Sequence, residues 1–159
     1  MEKISILFVC MGNICRSPTA EGVARLLIER AGFANRVAKL DSAGTHGAHA
    51  GEAPDPRATR MAASRGYDLS RLRARQVSPK DFVTFDHVVA MDRVNLRYLQ
   101  KLCPEDMQFK LGLMMSYAPQ VGIDEVPDPY YGGDAGFERV LDLIEAATEG
   151  LIANLFRPR

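Results

Sequence analysis

The sequence predicts an α/β fold: a single domain, residues 1–159, with a four-stranded, parallel, twisted sheet and helices on both faces. Three observations predict it. Short apolar, β-branched runs alternate with stretches of helical periodicity, the pattern of a parallel sheet with crossover helices. A chain of 159 residues fits one domain, which should bury roughly 68–70% of its unfolded surface. Apolar residues make up 47% of it, enough to fill a core, and no repeat, linker or low-complexity segment interrupts it.

Residues 4–10 are short, apolar and β-branched, and read as a buried strand ending in Cys10. A helix is expected over residues 18–31, with Ser17 as N-cap, Pro18 at its first position and Gly32 as its stop. Ala20, Val23, Ala24, Leu27 and Ala31 recur at helical spacing and should face the sheet. Residues 37–42 form a second strand, and the Gly-, Ala- and His-rich residues 43–55 a loop. A helix over residues 56–65 is stopped by Gly66, and Ser78-Pro79-Lys80-Asp81 opens a short one. Residues 86–91 give a third strand, and Asp92 caps a helix to residue 102, ended by Pro104. Residues 109–115 are the expected last strand and residues 116–133 are loop. The final helix spans residues 134–156, with Phe137, Val140, Leu141, Ile144, Ala147, Leu151 and Leu155 as its apolar stripe. Ligands of such sheets bind at the carboxyl ends of the strands. Cys10 lies at one such end, and Ser42 and Asp92 follow two others, so all three should point to one rim.

The first strand runs into Cys10-Met11-Gly12-Asn13-Ile14-Cys15-Arg16-Ser17, a loop with a nucleophile at one end and a fixed cation at the other. The loop closes onto a helix N-terminus, where unpaired N–H groups and the dipole favour an anion. By position alone Cys10 is a core thiol, as free cysteines commonly are; the loop and Arg16 point instead to a thiolate nucleophile. Arg16 offers a planar fork to two phosphate oxygens. The amides of Met11 through Arg16 should turn inward as a nest. Gly12 is expected to supply unusual backbone angles, and Asn13 to tolerate left-handed geometry and brace the loop. Ser17 is either a hydrogen-bond partner of the Cys10 sulfur or only a cap.

This stretch resembles the C-x5-R-[ST] signature of the low-molecular-weight protein tyrosine phosphatases. The match continues through Pro18-Thr19-Ala20-Glu21 and reappears as Asp128-Pro129-Tyr130-Tyr131-Gly132. It covers essentially the whole chain, thinning between residues 107 and 125. The resemblance implies hydrolysis of phosphotyrosine through a phosphocysteine on Cys10, with inorganic phosphate as product and no cofactor or metal. Asp128 matches the family's general acid, with Asp124 as its nearest rival. Tyr130 and Tyr131 match residues that wall the cleft, and Ser42 one that supports the loop. Family members with a second cysteine where Cys15 stands form a reversible disulfide with the nucleophile; the alternative is a small loop residue.

The resemblance also has departures. A large aromatic is common where Ala48 stands, leaving His46 or His49 as substitutes in the cleft wall. Leu72 replaces a common His that supports the loop. Ile14, where related arginine phosphatases carry Thr, favours an aryl phosphate. His46 and His49 have no third ligand nearby, so no metal is expected. An arsenate reductase of the same fold would need a relay pair of cysteines, and only Cys103 lies beyond the loop. An anion-binding domain without turnover is the other alternative.

Acids and bases balance at 20 each, which argues against nucleic-acid binding and a polybasic membrane patch. No segment approaches the roughly 18 apolar residues of a membrane span, and the early first strand leaves no room for a signal sequence. Three cysteines, an odd number, argue against a disulfide framework and for a reducing cytoplasm. The expected partner is a phosphotyrosine-containing protein, and the oligomeric state stays open between a monomer and a weak dimer.

Overall fold

The alternation of side chains along the first strand divides the molecule into two apolar layers. In the computed structural model, which describes residues 2–130 and 132–157, that strand is β1 (Ile4–Cys10). Ile6, Phe8 and Cys10 face one layer and Leu7 and Val9 the other, as the period of two requires. Beside it run β2 (Val37–Gly44), β3 (His87–Ala90) and β4 (Leu111–Leu113). They make a four-stranded sheet among the described residues, in the order β2-β1-β3-β4 and parallel throughout.

The first layer holds α1 (Arg16–Arg30) and α5 (Asp134–Leu155), with α2 (Pro56–Ser64) against both. The second holds α3 (Lys80–Thr84) and α4 (Arg93–Leu102), with Phe82, Phe85 and Leu99 on Leu7, Val9 and Val88. Helices therefore cover both faces, as expected. The apolar stripe of α5 is the expected one except that Leu155 is half-buried while Leu143 and Ile152 are also buried. On α1 the buried last-turn residue is Ile28, with Leu27 and Ala31 only half-buried.

The glycine stops are where the sequence places them. Gly32 has φ 87° and Gly66 φ 90°. Each is followed by an amide that reaches back across the last turn, Phe33 to Ile28 O and Tyr67 to Ala62 O, both at 3.0 Å. Asp55 caps α2 through the Arg57 amide at 2.8 Å, and Asp92 caps α4 through the Asn95 amide at 2.8 Å.

Two expectations are corrected. The first helix begins at Arg16, not Pro18, and Ser17 lies inside its first turn, where its hydroxyl serves another partner. The last strand is only Leu111–Leu113, because Glu105–Lys110 and Met114–Tyr117 wind as 3-10 helices. Gln108 Nε2 donates to the carbonyls of Gln100 and Cys103 at 2.8 Å each, tying the chain to the end of α4, and Phe109 is left exposed.

Candidate active site

β1 lies between β2 and β3, so the chain leaves it toward one neighbour and later returns on the other side. The crevice beyond its carboxyl end is where an open parallel sheet offers a ligand room. Cys10 ends β1 there, in register with Gly44 at the end of β2. The loop after it packs tightly on the β2 rim: a Cβ on Gly44 would stand 2.7 Å from the Met11 carbonyl oxygen.

The loop turns its carbonyls outward. Those of Cys10, Met11 and Ile14 accept from the amides of Thr45, His46 and Asp55 at 2.9, 3.0 and 2.8 Å. The Cys15 carbonyl accepts from the Thr19 hydroxyl at 2.7 Å. Asn13 takes the left-handed turn, φ 58°. Gly12, expected to supply unusual angles, is not among the positive-φ glycines; its missing side chain makes room for His49, whose Cδ2 would lie 3.1 Å from an added Cβ.

Cys10 Sγ lies 3.0 Å from Ser17 Oγ and accepts from the Ser17 amide at 3.4 Å. Of the two readings of Ser17, the structure shows the contact with sulfur. Asn13 Nδ2 donates to Ser17 Oγ at 2.8 Å and to Ser42 Oγ at 3.0 Å, while its Oδ1 accepts from the Arg75 amide at 3.0 Å. Ser42 Oγ in turn donates to Glu21 Oε1 at 2.8 Å.

Arg16, at the start of α1, is 3% exposed. Its Nη1 donates to Asp92 Oδ2 at 2.6 Å and to the Val126 carbonyl at 3.0 Å. The Val126 amide is itself fastened to Met91 O at 2.8 Å, just past β3. Asp128 follows on that segment, its Oδ2 3.8 Å from Arg16 Nη2 and its Oδ1 accepting from the Tyr130 amide at 3.0 Å. Asp92 thus both caps α4 and holds the guanidinium, a second task that its placement on the rim hinted at and its sequence reading as a cap did not include.

These groups enclose a cleft of about 170 Å³. Cys10, Arg16 and Asp128 line it together with Met11, Gly12, Ile14, Cys15, His49 and Tyr130. His49 fills the wall where the sequence left a choice: Ala48 and His46 are exposed, and His49 Nδ1 lies 3.0 Å from Glu52 Oε2. Arg57, braced by Asp55, stands over the rings of Tyr130 and Phe137 at 5.5 and 4.7 Å. Tyr131 lies outside the described residues. Burial, with Asp55 and the Cys10 thiol nearby, pushes the Cys15 thiol up to about 12. Asp124, the rival acid, does not line this cleft; it is exposed and paired with Arg93, which holds its carboxyl below the usual range. Leu72 packs half-buried on the first apolar layer.

Glu21, Asp55, Arg75 and the Val126 carbonyl had no assigned part in the sequence. The one available signal was at Glu21, an acid set between Ala20 and Val23 on the apolar face of its helix.

The profile of the low molecular weight phosphotyrosine protein phosphatase family matches residues 5–159. The chain belongs to this family. Its members are cysteine-dependent hydrolases, and this one is a protein tyrosine phosphatase. It is 48% identical over 151 residues to a low molecular weight protein-tyrosine-phosphatase of Streptomyces coelicolor, covering 93% of this chain and 91% of that one. A human low molecular weight phosphotyrosine protein phosphatase is 41% identical over 138 residues, 86% of this chain and 85% of its own. Among solved structures, a protein tyrosine phosphatase of Entamoeba histolytica, with Hepes in its active site, superposes with a TM-score of 0.93 at 42% identity. That match covers 96% of this chain and 97% of that one.

Proposed function

We propose that this phosphatase hydrolyses phosphotyrosine in proteins, and aryl phosphate monoesters generally, with Cys10, Arg16 and Asp128 as its catalytic groups. One observation carries the assignment: the thiol and guanidinium of the loop at residues 10–17 and the carboxyl of Asp128, far along the chain, line the same cleft. Hepes in the Entamoeba structure carries a sulfonate, a tetrahedral oxyanion like the phosphate group, which supports the same reading.

The amides of Met11, Gly12, Asn13, Ile14, Cys15 and Arg16 cradle the phosphate oxygens, and the Nε–Nη2 edge of Arg16 clamps two of them. The Cys10 thiolate attacks phosphorus. The bond to the aryl oxygen breaks, and that oxygen takes the proton of Asp128 as it leaves. Asp128, now a carboxylate, takes a proton from water as the water oxygen attacks the phosphocysteine. The S–P bond breaks, the thiolate is restored, and inorganic phosphate departs. Ser17 hydrogen-bonds the sulfur in both steps, and Ser42 holds Asn13 behind the loop.

Ile14, His49 and Tyr130 wall an aryl group, with Tyr131 assigned to the same wall. Cys15, held as a thiol by its surroundings, leaves Cys10 as the nucleophile; oxidation of Cys10 makes it the partner for a reversible disulfide. The reading takes residues 1–159 as one catalytic domain, working as a monomer or weak dimer in a reducing, cytoplasmic setting. Among the described residues no helix is long and apolar enough to cross a membrane.

The test is hydrolysis of p-nitrophenyl phosphate in EDTA under reducing conditions. The parent should turn over, Cys10→Ser should not, and Asp128→Ala should lose about 10²–10⁴-fold, the usual worth of a general acid. Turnover by Cys10→Ser, or an undiminished Asp128→Ala, would overturn the assignment.

A further inference from the structure

Behind the Cys10 loop lies a file of buried polar groups whose direction is set at its far end. Glu21 is 4% exposed and sits between Ala20 and Val23 on α1. An ionised carboxylate accepts hydrogen bonds and cannot donate them. The Ser42 hydroxyl therefore spends its proton on Glu21, at 2.8 Å. Only the lone pairs of Ser42 then face Asn13, and the Asn13 amide must present Nδ2 to it, at 3.0 Å. The same Nδ2 donates to Ser17 at 2.8 Å, and Oδ1 is fixed by the Arg75 amide at 3.0 Å, so turning the side chain over would lose all three bonds. Ser17 Oγ, already accepting, keeps its own proton to give. Cys10 Sγ at 3.0 Å is nearer than the alternative acceptor, the Ala43 carbonyl at 3.4 Å.

We propose that Glu21 is a positioning residue of the phosphatase: its carboxylate orients Ser42, Asn13 and Ser17 in turn, so that the Ser17 O–H is delivered to the Cys10 sulfur. This rests on Cys10 as the nucleophile. Leu72 brings no polar side-chain atom to the file, so its polarity originates at Glu21. The charged groups facing that carboxyl are few. Arg25, one turn along α1, holds Oε2 at 3.1 Å from an exposed position. On β2, Asp41 is held by Arg75, which also takes Asp81 on α3. Burial, with Asp41 adding to it, raises the Glu21 pKa against the pull of Ser42 and Arg25. When Glu21 takes up a proton it becomes a donor, and the hydroxyls beyond it lose their imposed direction.

The test is the rate of iodoacetate alkylation at Cys10, located by mass, which tracks the thiolate and needs no turnover. It is run on the reduced parent, Glu21→Gln, Ser42→Ala and the double variant, at about pH 6.5, well above the ordinary carboxyl range and below the ordinary thiol value, and at about pH 9, above it. Near pH 6.5 each single variant should react more slowly, by up to about tenfold, the equivalent of one charge-assisted hydrogen bond. The double should be no slower than the slower single, since both act along one file. Near pH 9 all four rates should agree within about twofold, whereas a loosened fold would raise alkylation at both pH values. A parental rate for Glu21→Gln near pH 6.5, multiplying losses in the double, or a rise at both pH values overturns the proposal. Should Glu21→Gln not fold, Ser42→Ala carries the same test one bond nearer the sulfur. Hydrolysis of p-nitrophenyl phosphate by Cys10→Ser would instead sink the nucleophile assignment, whatever the alkylation rates.

Discussion

Arg16 reaches across the molecule, and what it grips decides how it presents its free edge. Nη1 is bound by Asp92 Oδ2 and the Val126 carbonyl, both beyond β3, while its backbone begins α1. Asp92→Asn separates the two tasks of that residue. Asparagine caps as well as aspartate, so the melting temperature should stay close to the parent's. The charge-assisted bond to Arg16 is lost, and kcat/KM for p-nitrophenyl phosphate should fall about tenfold or more. An undiminished kcat/KM would show that the guanidinium is fixed without Asp92. The chemistry-bearing residues were legible because thiol, guanidinium and anion-binding turn fall within eight consecutive positions, 10–17. The pairing of Asp92 with Arg16 and of Glu21 with Ser42 was not, since these partners become neighbours only when β3 and β2 dock beside β1. Ser17 shows the converse. Its type and position suit a helix cap, but the sulfur at 3.0 Å claims the hydroxyl, and the helix starts two residues earlier than expected.

At the scale of elements, two glycines mark close approaches of backbone. A Cβ on Gly44 would stand 2.7 Å from Met11 O, and one on Gly150 of α5 would stand 1.8 Å from Tyr117 O. Each alanine variant should lose stability, by about 1–3 kcal/mol for ordinary overpacking and more at Gly150, where backbone meets backbone. Their effects on turnover should diverge. Gly44→Ala pushes on the phosphate loop and should cut kcat in the fraction that stays folded, whereas Gly150→Ala leaves the loop in place and should keep its kcat. Equal kcat losses would contradict this division, and thermal unfolding beside initial rates measures both. α2 reaches the cleft through Arg57, braced by Asp55 and set over Tyr130 and Phe137. Arg57→Ala should raise KM for an aryl phosphate by about threefold to tenfold, the worth of a cation–π contact of about 0.5–1 kcal/mol plus a loosened wall. A KM equal to the parent's would mean that Tyr130 is held without it. The glycine stops of α1 and α2 were readable because positive φ restricts the residue choice. The short β4 was not, because an apolar run carries no trace of the Gln108 side chain that winds the chain before it.

For the molecule as a whole, two apolar layers share one sheet, and helices on both faces were predicted by the alternation of short apolar runs with helical stretches along the chain. Asp55 couples that frame to the site: its amide holds Ile14 O at 2.8 Å and its carboxylate pairs with Arg57 at 2.9 Å. Hydrogen bonds from Arg57 hold the Asp55 carboxyl below its ordinary 3.8. A depressed carboxyl contributes stability in full above its unfolded value and loses it as pH falls through the folded value. Asp55→Asn should therefore melt roughly 2–4 °C lower at neutral pH, the size of about 1 kcal/mol in a chain of this length. The gap should close below pH 3.8, and a gap independent of pH would rule out the ionised pair as its source. The grip of Asp92 and Val126 on Arg16 has one more consequence, in the order in which the chain is made. Cys10 and its loop leave the ribosome early, Asp92 and Val126 much later, and Asp128 later still. At about 5–20 residues per second, the nucleophile waits on the order of ten seconds for its clamp and its acid. The nascent chain carries its thiol to completion without a working phosphatase around it, and activity switches on only when the second half of the sheet has closed.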